Sequence, residues 1–115
     1  MTERASSIVL SPADAFAQLP GPVGERFVNV FRHGSLEVEY YAPRGSDEQT
    51  VHTRDELYVV VRGRGDFVHA GERSPFAPGD CLFVAAGIEH RFENFSDDFG
   101  AWVFFYGPEG GEGSW

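Results

Sequence analysis

The chain has 115 residues, 42% of them hydrophobic and 11 of them Phe, which suits one domain with a core that needs no disulfides. Its formal net charge is −9, all nine cationic side chains are Arg, and Lys is absent; this balance repels phosphate backbones and excludes Schiff-base chemistry through the chain. The one cysteine, Cys81, cannot form an internal disulfide. No apolar run approaches the ~18 residues of a membrane span and no leader-like segment opens the sequence, so a cytoplasmic protein with neither nucleic acid nor membrane as partner is expected.

Ser11 followed by Pro12 reads as a helix N-cap and first turn, predicting one short helix from Pro12 to about Leu19, stopped by Pro20-Gly21-Pro22. From Glu25 onward the pattern is β. Strands are predicted over Phe27–Phe31 and Leu36–Tyr40, with a turn at His33-Gly34-Ser35 between them. A loop over Pro43–Asp47 leads to Thr50–Thr53 and then to Glu56–Arg62. After the turn at Gly63 come Gly65–Ala70, a Gly71-Glu72 turn, Pro78-Gly79-Asp80, and Cys81–Ala86, where Cys81 is expected to act as a small buried hydrophobe. The turn at Gly87 precedes His90–Phe95, and Ala101–Tyr106 closes the series. About eight or nine short strands at this spacing predict an all-β sandwich or barrel. The single domain, 1–115, has its core at about 25–106, and the glycine-rich, acidic segment 107–115 is expected to be a mobile tail.

Residues of equal parity share one face of a strand. His52 and Glu56 share parity with Tyr58 and Val60, while His90, Phe92 and Asn94 form a second set. If both sets line the inside of a small barrel, two imidazoles and one carboxylate converge on one ion and leave coordination positions open. Such ligands suit a divalent transition metal: Fe, Mn, Ni or Zn. Tyr58, Phe92, Trp102, Phe104 and Tyr106 are candidates for an aromatic lining, with Tyr58 and Tyr106 the candidate catalytic residues because a buried phenol needs a partner. Arg54, Arg91, Phe92 and Trp102 are the candidate substrate-binding residues, the two arginines as contacts for an anionic group. His33 and His69, beside turns, read as ordinary polar residues. No phosphate-cradling glycine loop and no activated Ser or Cys nucleophile is evident.

The segment from Gly45 to Asn94 resembles the two motifs of the cupin superfamily. Gly79, Ala85, Gly87, His90 and Asn94 follow Gly-x5-Pro-x-Gly-x2-His-x3-Asn, with Ala85 in place of proline. Gly45, Thr50, His52, Glu56 and Gly63 follow the first motif, with Thr50 in place of its first histidine and the Gly45 spacing one residue short. The resemblance implies a double-stranded β-helix, or jelly-roll, barrel with the one short N-terminal helix, usually dimeric, with a metal in the barrel mouth. His52, Glu56 and His90 match the ligand positions. The position at Thr50 lacks its imidazole, and Gln49 or a water is the candidate to fill it. The implied function is a metal-dependent enzyme acting on a small molecule, either dioxygenase-like or a redox-neutral lyase or isomerase. The alternative is a non-catalytic module that binds a small ligand, with a structural metal or none.

Overall fold

A computed structural model describes residues 8–47 and 50–113. Helix α1, Pro12–Phe16, begins as its sequence dictates: the Ser11 hydroxyl accepts from the Asp14 N–H at 3.3 Å, and Pro12 sits where no N–H is needed. It ends earlier than Leu19, because Gln18 and Leu19 donate to Ala15 and Phe16, one residue closer than in an α-helix, tightening the last turn ahead of Pro20.

Among the described residues eight strands follow: β1 (Phe27–His33), β2 (Leu36–Tyr41), β3 (Asp55–Arg62), β4 (Gly65–His69), β5 (Glu72–Phe76), β6 (Cys81–Val84), β7 (His90–Glu93) and β8 (Gly100–Tyr106). All pairings are antiparallel. They form one sheet of order β1-β2-β8-β3-β6 and another of order β5-β4-β7, the jelly-roll arrangement. Two expectations change here. Thr50–Thr53 is not a strand, and Glu72–Phe76 is one. Pro75 lies in β5, where it is tolerated because β5 is a sheet edge and one of its sides has no ladder to break. Cys81 is also exposed rather than buried, since β6 is the edge of the larger sheet and its side chain points outward.

The core lies between the sheets. Phe92 stands at its centre, with ring centroids 5.0 Å from Tyr58, 5.2 Å from Phe67, 5.5 Å from Phe76 and 4.9 Å from Phe99. A second, smaller cluster covers the outer face of the larger sheet, where Ala15 of α1 packs with Tyr40 and Ala42, and Trp102 joins them. Gly63 shows why this turn needs glycine: its φ is +84°, and a Cβ would fall 2.5 Å from the Phe99 Cα.

The segment after β8 folds back on the domain. The Gly107 N–H donates to Ser35 Oγ at 3.2 Å, that of Gly110 to the Thr53 carbonyl at 2.7 Å, and that of Glu112 to Asp55 Oδ2 at 2.9 Å. Residues 107–112, expected to belong to a mobile tail, thus hydrogen-bond back to the domain. Ser114 and Trp115 lie outside the described residues. Among the described residues, no helix is long and apolar enough to cross a membrane.

Candidate metal centre

Glu56 is delivered by regular strand geometry. Inward positions of β3 alternate, so Glu56, Tyr58 and Val60 are all buried. His90 opens β7 on the inward parity it shares with Phe92, and both are buried. His52 arrives differently. It lies in a loop ahead of a bend at Thr53-Arg54, so strand parity does not place it. Its backbone carbonyl instead accepts from the Gly87 N–H at 2.8 Å, which ties it to the turn leading to His90. Asp55 reinforces this link. Its buried carboxylate accepts from the Ala86 N–H at 2.8 Å and from the Glu112 N–H at 2.9 Å.

The three side chains converge. His52 Nδ1 is 3.1 Å and His90 Nε2 is 3.0 Å from the same oxygen, Glu56 Oε1. One ligand atom from each of the three lies within 4.8 Å of the others. Ligands about 2.0–2.2 Å from a common ion sit roughly 3.0–3.5 Å apart at right or tetrahedral angles, as these oxygen–nitrogen pairs do. Two further observations fit a cation. His90 Nδ1 is 2.9 Å from the Ile88 carbonyl, which accepts its proton, so in the neutral ring the Nε2 lone pair faces a carboxylate oxygen. That contact is favourable only if a proton or a metal ion lies between the two atoms. Glu56 Oε2, moreover, is buried with no hydrogen-bond partner among the described residues, a costly arrangement unless an ion takes its lone pairs. The His/Glu/His group is thus compatible with a metal site.

Without a metal, charge is shared within the group. Burial pushes the Glu56 carboxyl up, but hydrogen bonds from His52 and His90 and their charges outweigh it and hold the group below its ordinary range. For His90, burial opposes protonation, but the hydrogen bond to Glu56 and the Ile88 carbonyl raise its pKa on balance. Tyr58 Oη lies 3.1 Å from His90 Nε2, making this phenol a direct neighbour of the centre.

A cavity of about 600 Å³ opens beside His52, lined also by Thr50, Tyr41, Val103 and Phe105. Thr50, which stands where the motif has a histidine, is exposed and borders this space. Gln49, the candidate for that position, lies outside the described residues.

Several expected site residues stand elsewhere. Trp102 and Tyr106 alternate with the inward-facing Ala101, Val103 and Phe105, and so point to the outer face of the sheet. Trp102 packs edge-on against Tyr40 with centroids 5.2 Å apart. Arg91 is exposed on the outer face of β7 and hydrogen-bonds to Glu93. Phe92 is core rather than cavity wall. Arg54 does border the cavity, but its guanidinium is engaged: Nε donates to the Gly107 carbonyl at 3.1 Å, Nη2 donates to the Ser35 carbonyl, and Nη1 lies 3.7 Å from Glu37.

Reading the sequence alone missed Glu37 and Glu39. Both line the cavity from β2, whereas Val38 and Tyr40 are buried on its other face. Their signal was the alternation of acid and apolar residues in Leu36–Tyr40. With α1 covering the outer face, the apolar set of this strand faces the helix and the acidic set faces the barrel. Burial pushes the Glu39 carboxyl above its ordinary range, and the charges of Glu37 and Glu56 add to this while His52 opposes it.

Comparison with known proteins agrees with this geometry. Residues 37–106 match the family described as Cupin domain. A protein of Streptomyces coelicolor, described only as uncharacterized, is 33% identical over 85 residues, covering 72% of this chain and 81% of its own length. Among solved structures, a cupin-2 domain containing protein of Shewanella frigidimarina superposes with a TM-score of 0.68 at 13% identity, over 86% of this chain and 95% of its own. A Cupin 2 conserved barrel domain protein of Salinispora arenicola gives 0.60 at 23% identity, over 70% and 74%. The structural likenesses establish the fold. The match over residues 37–106, more than half of the chain, shows that this chain belongs to the cupin family.

Proposed function

We propose that this protein is a metal-dependent cupin that acts on a small molecule held in the barrel cavity, with His52, Glu56 and His90 as the metal ligands. The observation that carries the reading is the approach of both imidazoles to one buried Glu56 oxygen, 3.1 and 3.0 Å away, while the other oxygen has no partner among the described residues. A divalent transition ion there, Fe, Mn, Ni or Zn, would supply Lewis-acid or redox chemistry. The chain's own residues set the conditions. Ile88 fixes the His90 tautomer so that Nε2 faces the centre. Tyr58 places its phenol oxygen 3.1 Å from the same nitrogen, beside the centre. Phe105 packs its ring against His52, centroids 5.0 Å apart, and so helps to orient the loop-borne ligand.

Within this reading a dioxygenase-like reaction and a redox-neutral lyase or isomerase reaction are the two finer versions, and oxygen consumption separates them. The proposal includes a cytoplasmic homodimer with a small-molecule partner, and sedimentation velocity tests the dimer. A second reading, a non-catalytic ligand-binding module, draws support from Thr50, which offers the cavity a hydroxyl where the family motif has an imidazole.

The test is elemental analysis of the purified protein, before and after reloading, beside a His52→Ala/His90→Ala variant. Stoichiometric metal in the wild type that is lost in the variant is the expected result. A wild type that neither carries metal nor can be loaded would remove the enzyme reading. Stoichiometric metal without turnover across substrate classes would favour the binding module.

A further inference from the structure

The cavity is lined by four carboxylates and two guanidinium groups, and most of them are already engaged. Glu25 Oε1 accepts from the Val23 N–H at 3.0 Å. Glu37 lies between Arg32 at 3.5 Å and Arg54 at 3.7 Å. Arg26 Nε donates to the Ala42 carbonyl at 2.9 Å. Glu109 is exposed at the rim. Glu39 differs from all of these. It projects from the middle of β2 into the cavity, and among the described residues its carboxylate makes no hydrogen bond or ion pair. Asn29 stands directly across from it in β1 but does not bond to it, and among the described residues the Asn29 Nδ2 is itself buried without a partner. This wall of the cavity therefore holds an acceptor that the described residues leave unused.

The strand register sets its distance from the metal centre. Glu39 pairs with Val103 of β8, which pairs with Tyr58 of β3. Two strand spacings amount to roughly 10 Å between the Glu39 and Tyr58 backbones. Tyr58 itself is buried, and His52 is the residue of the metal centre that lines the cavity, so a ligand there lies between Glu39 and His52. The walls of that interval are Val103, Phe105 and Tyr41, which suit a hydrocarbon stem.

We propose that Glu39 is the counter-ion for a cationic group, an ammonium or guanidinium, on the small molecule bound in the cavity, whose other end carries the oxygen presented to the metal centre. The second half of this assignment rests on the metal-dependent reading; the first half does not. A half-buried carboxylate without a partner is costly, and a ligand cation repays that cost where a neutral hydroxyl repays less of it. An anionic ligand meets the opposite situation, because Glu39 repels it and Arg54 is already committed. The chain's net charge of −9 also concentrates cations near the opening.

The test uses three probes of matched size, n-butylammonium, 1-butanol and butyrate, titrated into the full-length protein with and without Zn. Binding is followed by NMR shifts of Val103 and Phe105. Butylammonium is expected to bind about tenfold more tightly than butanol, as a charge-assisted hydrogen bond would provide, with butyrate giving no saturable shift. Glu39→Gln should bring amine and alcohol to parity, and Glu39→Asp should keep the preference for the amine. Equal response to amine and alcohol in the wild type, or a preference unchanged in E39Q, would overturn the proposal. Zn content measured on the same samples separates the two readings. Failed loading with the amine preference intact removes only the metal centre, and full loading with no amine preference removes only the role of Glu39.

Discussion

His90 and Glu56 meet with Nε2 3.0 Å from Oε1, and neither side chain is exposed to solvent. Because the other nitrogen of the same ring is committed to the Ile88 carbonyl, the short contact must enclose a positive charge, either a proton or a metal ion. This choice gives the pair opposite dependences on pH in the metal-free and metal-bound protein.

In the metal-free protein the stability advantage of wild type over Glu56→Gln should be about 1–3 kcal/mol and largest between pH 4.5 and 6.5. The Glu56 pKa is lowered from its ordinary 4.5, so its contribution is complete above that value and is lost as pH falls through the lower folded value. The His90 pKa is raised from its ordinary 6.5, so its contribution is complete below that value and is lost as pH rises through the higher folded value. Saturating metal should move the advantage to higher pH, because the ion competes with the proton for Nε2. Denaturation midpoints from pH 3 to 9 check this; a difference that stays flat across the range would refute the shared-proton account.

Thr50→His should restore a nitrogen to the ligand position facing the cavity and raise metal affinity by about tenfold or more. Chelator competition on wild type and variant gives the ratio. An unchanged affinity would mean that this position does not reach the ion.

Tyr58→Phe keeps the ring in the aromatic core and removes only the hydroxyl 3.1 Å from His90 Nε2. Metal stoichiometry should persist with affinity within about threefold, because Nε2 has one lone pair and the phenol cannot hydrogen-bond to it once an ion is bound. Chelator competition measures the ratio, with near-ultraviolet dichroism to confirm that the core is intact. Complete loss of metal from a folded variant would instead place Tyr58 among the ligands.

Asp55→Asn should remove one of two anchors. One carboxylate holds both the Ala86 and the Glu112 N–H groups, and an amide can accept only one of them. A loss of about 2–3 kcal/mol is expected, together with faster amide exchange over residues 110–113. Protection of that segment equal to wild type would show that it is held by its other contacts alone.

Much of this molecule was legible in its sequence. Ser11-Pro12 marked the helix start, and alternation marked most strands, because capping and strand parity are local. The departures are equally specific. Pro75 hid β5, whose position at a sheet edge makes proline acceptable. Cys81 looked like a core residue but lies on the edge strand β6 with its side chain outward. Trp102 and Tyr106 looked like cavity residues, yet parity alone could not say which face of β8 turns inward.

By itself, the sequence determined that the protein would be an acidic, lysine-free β domain carrying His52, Glu56 and His90 at ligand-like spacing. Only the tertiary structure decided that a loop histidine and two strand residues meet at one oxygen. The physical reason is that the closing contacts are long-range hydrogen bonds, Gly87 N–H to the His52 carbonyl and Asp55 to Ala86 and Glu112, which no local periodicity encodes. The same reason applies to Glu39. Its face of β2 became the cavity wall because α1 and Trp102 cover the other face, and that choice was made by packing.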